Sequence, residues 1–179
     1  MQMHIDFIRK LYADSAGDST GLLTGVQQLA GQIGWEEALG CLEACVTEKR
    51  LAWIDAHLPD LPRNGLPVQA GFHAFFERYL HLSLPRDGQL VENGPQLLRV
   101  RWWNPCPTLD ACLHLGLDTC RVCKGAYQRP VEALLRRIDP RLRFGRNYAA
   151  LRPHAPYCEE LIYLDGAFTG RAGEDGLHL

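Results

Sequence analysis

The spacing of apolar residues changes near Gln89, and this change constrains the fold more than any other feature of the chain. Before it, apolar residues recur three or four positions apart, as on one face of an α-helix. After it, two sets of residues alternate as they do in a strand, namely Leu98, Val100 and Trp102 against Arg99, Arg101 and Trp103. We therefore predict an α+β fold, in which N-terminal helices precede a hairpin-helix-helix-hairpin whose strands form an antiparallel sheet packed on helices.

The helical part, residues 1–82, is predicted to contain four helices. Residues Asp18, Ser19 and Thr20 form a capping cluster for the second helix, and Pro59 ends the third, which starts near Trp35. The fourth carries an aromatic face formed by Phe72, Phe75, Phe76 and Tyr79. Such a face is more typical of a protein core than of a cofactor site.

The cysteine-bearing part, residues 89–165, is punctuated by turn and cap signals. Asn93-Gly94 predicts the turn of a first hairpin, and Pro107 and Gly116 mark the ends of a short helix. A further helix, capped by Asp118 or Thr119, extends to Ile138 and is kinked or split at Pro130. The segments RLRFGRNYAAL and CEELIYL predict a closing antiparallel pair.

Length and composition indicate an ordinary globular protein. A chain of 179 residues can bury one sizeable core, so we predict a single domain over residues 1–170 and a flexible tail over 171–179. The net charge of −2 does not indicate any particular class of binding partner. No run of about 18 apolar residues and no secretory leader is evident, so we expect a cytoplasmic protein without a membrane span. Homodimer formation stays open.

Five of the seven cysteines fall between Cys106 and Cys158, and this clustering predicts a thiolate site. An odd number of cysteines in a chain with a substantial core favours reduced thiols or metal ligands over disulfides. Cys41 and Cys45, four positions apart on the third helix, are predicted to be core residues.

The clustered cysteines can reach one site only if the fold delivers them from several elements. Cys106 can approach Cys112 only if it precedes the short helix as its cap. Cys120 and Cys123 share one face near a helix N-terminus, which favours the thiolate form. The predicted ligands of a cofactor are Cys106, Cys112, Cys123 and Cys158, with Cys120 as a further metal ligand. Their spacing is not that of a zinc ribbon.

A basic segment begins directly after Cys120, includes Cys123 and ends before Cys158. Residues 121–152 contain eight arginines and one lysine against two acids, a local charge of +7. Arginines stabilise an anionic four-thiolate cluster, and they can equally receive a carboxylate or phosphate group. We predict Arg121, Arg146 and Arg152 as anion-binding residues. Nucleic acid is not expected as a partner, because no reader motif accompanies the charge.

Histidines offer an alternative chemistry. His154, close to Cys158 in sequence, can serve as a metal ligand or as a general base for a cysteine nucleophile. In the second case Cys106 or Cys123 attacks the substrate. His73 and Glu77, four positions apart on the aromatic helix, are predicted to pair.

The run from Leu97 to Leu164 resembles a known family. It has a CP dipeptide opening a short helix, LGLD before a second cysteine-bearing helix, DPRLRF, and a late cysteine before the last strand. In these motifs, over about two fifths of the chain, it resembles the cysteine-rich family named for L-2-amino-thiazoline-4-carboxylic acid hydrolase. The order of elements is also similar to that of the 4-vinyl-reductase domains. Their fold is shared with a trafficking-complex subunit, and their bacterial sensor members bind zinc through cysteines.

The resemblance implies a 4-vinyl-reductase-like fold and a cysteine site at the matching positions Cys106, Cys123 and Cys158. Members of the family often end with adjacent cysteines, whereas here Cys158 stands beside Glu159.

Three functions follow from these observations. The first is a cysteine-ligated metalloprotein with an iron-sulfur cluster, for example a 4Fe-4S cluster, or otherwise zinc, that senses redox state or a ligand or acts as a small cluster enzyme. Its partner would be a small-molecule ligand or a redox partner. The second is a hydrolase of a small cyclic C–N substrate such as a thiazoline carboxylate. The third is a small-molecule-binding module with an apolar groove lined by Phe72, Phe76, Trp102 and Trp103.

Overall fold

A computed structural model describes residues 1–14, 17–61 and 65–167, and in these residues the mixed α+β class is confirmed. The α-helices are α1 (Gln2–Asp14), α2 (Ser19–Ile33), α3 (Trp35–His57), α4 (Pro67–Phe72), α5 (Pro107–Leu115), α6 (Thr119–Ala126) and α7 (Gln128–Ile138). The strands are β1 (Gly88–Asn93), β2 (Leu97–Trp102), β3 (Leu142–Asn147) and β4 (Cys158–Leu164). The predicted tail 171–179 lies outside the described residues. None of the helices in the described ranges is both long and apolar enough to cross a membrane.

The chain forms two compact units, each with its own apolar core. The helical unit comprises Met1–Arg50 and Pro105–Pro130, and the sheet unit comprises Leu51–Asn104 and the residues from Val131 onward. In the helical unit α5 packs against α2, so a segment distant in sequence completes the core of the N-terminal helices. The units therefore do not coincide with the predicted parts 1–82 and 89–165.

Local capping signals set the helix ends of the helical unit. The Asp18 side chain accepts hydrogen bonds from the backbone N–H groups of Thr20 and Gly21, as the capping cluster predicted. Cys106 is the cap residue of α5 and Gly116 ends it with a positive φ of 66°. The long predicted helix is divided after Ala126, whereas Pro130 lies inside the first turn of α7, where its missing N–H costs no hydrogen bond.

The sheet unit is built on an antiparallel sheet with strand order β1-β2-β4-β3. The predicted alternation in β2 is confirmed, because Leu98, Val100 and Trp102 are almost fully buried. The predicted pairing of RLRFGRN with CEELIYL is confirmed as β3 against β4. Helix α4 packs on the sheet, and a π-helical segment, His73–Tyr79, continues it. Phe75 and Phe76 on that segment are core residues, as predicted.

Candidate thiol sites

Helix α5 carries two of the predicted ligands in different environments. Cys106 is half-buried at the helix N-terminus, where the prediction needed it to lie, and Cys112 is 0% exposed in the core. Burial raises the pKa of the Cys112 thiol to about 11, and the nearby charge of Cys106 adds to the rise. Helix geometry separates the Cα atoms of residues six positions apart by about 10 Å, which is too far for a disulfide.

Helix α6 presents two thiols on one face of its first turns. Cys120 and Cys123 are both half-buried, while Thr119, Val122 and Ala126 form the buried face. Residues three apart on an α-helix have Cα atoms about 5 Å apart, inside the range of roughly 4.4–6.8 Å that a disulfide spans. The two sulfurs therefore form a C-x-x-C pair at the positive end of the helix dipole.

The N-terminus of α6 is fixed by a cap and by contacts with α3. The Asp118 carboxylate accepts a hydrogen bond of 2.8 Å from the Cys120 backbone N–H. Arg121, between the two cysteines, forms an ion pair of 3.0 Å with Glu36 and lies over the ring of Trp35. The predicted anion-binding Arg121 is thus paired with a carboxylate of its own unit.

Gly125 lets α6 lie close to α3. A Cβ atom at this position would come within 2.8 Å of the Leu39 side chain, so the glycine is required by the close approach of the two helices. The face that carries the thiols is thereby held in a fixed orientation on the helical unit.

Cys158 lies in the sheet unit, at the start of β4. Its half-buried Sγ atom accepts a hydrogen bond of 3.4 Å from Nε of Arg152. The same guanidinium donates through Nη1 to the Asn104 carbonyl at 2.7 Å. The predicted anion-binding Arg152 thus contacts one of the predicted thiols.

Two arginine–glutamate pairs lie on opposite faces of β4. Arg146, the third predicted anion-binding residue, is buried and donates from Nε to Glu160 at 2.8 Å on the core side. On the other side buried Glu159 accepts hydrogen bonds from Arg101 at 2.8 Å and from Asn147 at 3.1 Å. Within their own units the three predicted arginines therefore do not converge on one site.

Neither His154 nor His73 is buried. His154 is exposed in the loop before β4, in the sheet unit, whereas the proposed nucleophiles Cys106 and Cys123 belong to the helical unit. His73 and Glu77 pair as predicted, with Nδ1 and Oε2 2.6 Å apart. This pair lies on the π-helical segment and is partly exposed.

The predicted thiolate ligands do not form a metal site among the residues that the structure describes. No group of three or more histidine, cysteine, aspartate or glutamate side chains in these ranges is placed to hold a metal ion. A four-thiolate cluster needs four converging sulfurs, and zinc in a structural site needs four ligands. No group of side chains within the described ranges meets either requirement.

The predicted aromatic groove is absent from the described sheet unit. The rings of Phe72, Phe76 and Trp102 pack against one another inside its core, and Trp103 is exposed. The alternation of β2 sends Trp102 and Trp103 to opposite faces, which explains why they cannot line one groove. A separate cavity of about 450 Å³ in this unit is lined by Leu58, Pro59, Leu61, Gly65, Pro67, Ala70, Arg137, Ile138 and Asp139, none of them a predicted site residue.

The sequence placed the cysteines on the correct local elements, but it did not indicate that the indole N–H of Trp102 is an unsatisfied hydrogen-bond donor. Its indole Nε1 is buried without a hydrogen-bond partner in the part of the chain that the structure describes. The alternating pattern identifies Trp102 as a core residue, but no sequence signal shows whether its N–H group finds an acceptor.

No family model, no curated protein and no solved structure matches this chain.

Proposed function

We propose that the protein is a thiol-based redox sensor whose working pair is Cys120 and Cys123. The observation that carries the proposal is the placement of both half-buried sulfurs on one face at the N-terminus of α6. Solvent-accessible C-x-x-C thiols in such a place are typical of dithiol-disulfide chemistry.

The proposed reaction is thiol-disulfide exchange with a small disulfide or a redox partner protein. The thiolate of one cysteine attacks the partner disulfide, forming a mixed disulfide and releasing one partner thiol. The second cysteine then attacks the mixed disulfide, which releases the second partner thiol and closes the Cys120–Cys123 bond. Two electrons pass from the two protein sulfurs to the partner, and their two protons leave with the products.

The same helix suggests how oxidation is sensed. A disulfide between Cys120 and Cys123 closes within one turn, so it leaves the fold of α6 intact but changes the surface beside Arg121. Reduced and oxidised protein can thus present different surfaces to a partner without unfolding.

The test is a redox titration of the full chain in glutathione buffers, followed by alkylation, trypsin digestion and mass spectrometry. Trypsin cleaves after Arg121, so oxidised protein yields two peptides joined by the Cys120–Cys123 disulfide. We expect a midpoint between about −270 and −120 mV, the range of C-x-x-C proteins. Cys120→Ser should abolish the linked peptides, and Cys41→Ser, at a buried thiol, should leave the midpoint unchanged.

The same preparation distinguishes the metalloprotein alternative. Protein purified without oxygen is analysed for iron, sulfide and zinc, before and after the Cys123→Ser change. Stoichiometric metal that is lost in the variant would support that alternative and overturn the dithiol proposal. Failure of Cys120 and Cys123 to form a disulfide at any glutathione ratio would also overturn it.

The hydrolase and the 4-vinyl-reductase-like fold stay proposals that rest on the motifs between Leu97 and Leu164. The hydrolase predicts thiazoline carboxylate turnover that a Cys106→Ser or Cys123→Ser change abolishes. The spacing of the Cys120–Cys123 pair favours the redox proposal, because that pair needs no residue from elsewhere in the chain.

A further inference from the structure

A second thiol, Cys158, faces a buried indole at one end of the sheet. Trp102 on β2 and Cys158 on β4 are direct partners across the antiparallel pair, so their side chains extend on the same, core-facing side. All the residues in this arrangement belong to the sheet unit and are independent of the C-x-x-C pair.

Arg152 gives Cys158 the surroundings of a reactive thiol. Its guanidinium donates Nε–H to Sγ at 3.4 Å, while Nη1 donates to the Asn104 carbonyl at 2.7 Å, so the charged group is fixed at two points. A hydrogen bond from a charged donor is stronger than one between neutral groups, so it holds the sulfur in place. Partly exposed cysteines in electropositive surroundings are the ones that react with oxidants.

Trp102 supplies a polar group that lacks a partner. The side chain is 2% exposed, and among the described residues no acceptor meets its Nε1–H. Buried hydrogen-bond donors in native proteins nearly always have an acceptor. The unpaired N–H of Trp102 is therefore available to an acceptor that forms after folding.

The orientation of the indole directs this N–H away from β1. The Cε3–Cζ3 edge of Trp102 lies against Gly88 on β1, where an added Cβ would approach it to 2.5 Å. Nε1 is on the opposite edge of the ring. The N–H edge therefore lies on the side of the ring away from β1.

We propose that Cys158 is a peroxide-oxidised modification site, with Arg152 positioning its sulfur through a hydrogen bond and Trp102 binding the oxygen that the sulfur acquires. The sulfur attacks one oxygen of hydrogen peroxide, the O–O bond breaks, and the departing hydroxide takes the thiol proton to form water. The product is a sulfenic acid at Cys158. Two electrons pass from sulfur to peroxide, and the new S–O oxygen accepts the unpaired Nε1–H of Trp102.

The experiment measures sulfenic acid at Cys158 in full-length protein carrying Cys120→Ser and Cys123→Ser, which removes the competing dithiol. The protein is treated with hydrogen peroxide and dimedone, and each cysteine is quantified by mass spectrometry. We expect labelling of Cys158 far faster than labelling of the buried Cys45.

Two sets of variants assign the roles. Arg152→Met should slow Cys158 oxidation by about tenfold, the size expected for losing a charge-assisted hydrogen bond, and Arg152→Lys by less. The exposed Arg136→Met of α7 serves as the control for loss of charge.

Trp102→Phe keeps the aromatic packing but removes the N–H. We expect a shorter lifetime of the sulfenic acid and faster conversion to sulfinic acid, with little change in the first oxidation rate. Trp103→Phe is the matched control, because that indole already donates Nε1–H to the Arg86 carbonyl at 3.0 Å. Near-ultraviolet circular dichroism confirms that each variant keeps its packing.

Three results would overturn the proposal. The first is labelling of Cys158 no faster than that of Cys45. The second is an oxidation rate that Arg152→Met changes no more than Arg136→Met does. The third is a sulfenic acid lifetime that is equal in the Trp102→Phe and Trp103→Phe variants.

Discussion

At the scale of single residues, β4 carries two buried carboxylates, Glu159 and Glu160. Glu160 lies between Val100 and Arg146 in the strand register, and Glu159 lies between Arg101 and Asn147 on the opposite face. Successive residues of one strand thus bury two carboxylates on two sides, each matched by an arginine from a neighbouring strand.

Glu160→Gln should lower the free energy of unfolding by about 3 kcal/mol, because it leaves the buried Arg146 charge without its carboxylate. Replacing both residues by leucine should cost much less, since no buried charge remains. Urea denaturation of the two variants measures the difference. A double variant as unstable as the single one would contradict this explanation.

The pH dependence of stability should report on Glu159. Burial by itself would raise the pKa of this carboxyl, but hydrogen bonds from Asn147 and Arg101 outweigh it and lower the pKa below the ordinary value. A lowered pKa stabilises the fold above the pKa of the unfolded state, and this contribution is lost as the pH falls through the folded-state pKa.

Arg101→Met should therefore destabilise the protein at neutral pH, and part of the difference from the wild type should disappear in acid. Arg99→Met should have a smaller effect, because its Nη1 atom is 3.9 Å from Glu159. Unfolding free energies between pH 2 and 7 test this. A difference that stays constant with pH would show that Arg101 acts through packing on Tyr157 instead.

At the scale of elements, the close contact of α6 with α3 positions the C-x-x-C pair. The contact depends on Gly125, on the Arg121–Glu36 ion pair and on the Asp118 cap. Exposed ion pairs contribute little, so the glycine contact should dominate.

Gly125→Ala should destabilise the protein by about 1–3 kcal/mol, because its Cβ would overlap Leu39 and force α6 away from α3. Gly40→Ala is the matched control, since it lies exposed on α3 with open space around it. That change should instead stabilise by up to about 1 kcal/mol through helix propensity. Thermal unfolding of the two variants tests the sign, and equal shifts would contradict the contact.

At the scale of the whole molecule, the thiols divide into a buried and a half-exposed class. Burial raises the pKa values of Cys41, Cys45 and Cys112, and it also raises that of Tyr127. All four groups belong to the helical unit, so that unit should be the more sensitive to alkali.

The free energy of unfolding should therefore fall as the pH rises above about 9. For Cys112 the unfolded thiol ionises from 9.0 whereas the folded thiol stays protonated to about 11, and the slope is about 1.4 kcal/mol per pH unit. Cys112→Ala should flatten this decline, and Cys106→Ala, at a half-buried thiol, should not. Urea denaturation from pH 7 to 11 tests the prediction, and identical slopes in the two variants would contradict it.

The sequence by itself determined the features that depend on a few neighbouring residues. Asp18 capped α2, Pro107 and Gly116 bounded α5, and the alternation from Leu98 to Trp102 produced β2. The same local logic placed Cys120 and Cys123 on one helical face and Cys41 and Cys45 in the core. Such signals are reliable because caps, turns and periodicity act over one or two turns of chain.

Only the tertiary structure decided which distant groups meet. It assigned Cys158 to the sheet unit with Arg152, and Cys106, Cys112 and Cys123 to the helical unit, so the cysteines clustered in sequence are not one site within either unit. It also left the N–H of Trp102, the cross-strand partner of Cys158, without an acceptor among the described residues. Proximity in sequence does not fix these contacts, because strand register and helix packing set them over separations of dozens of residues.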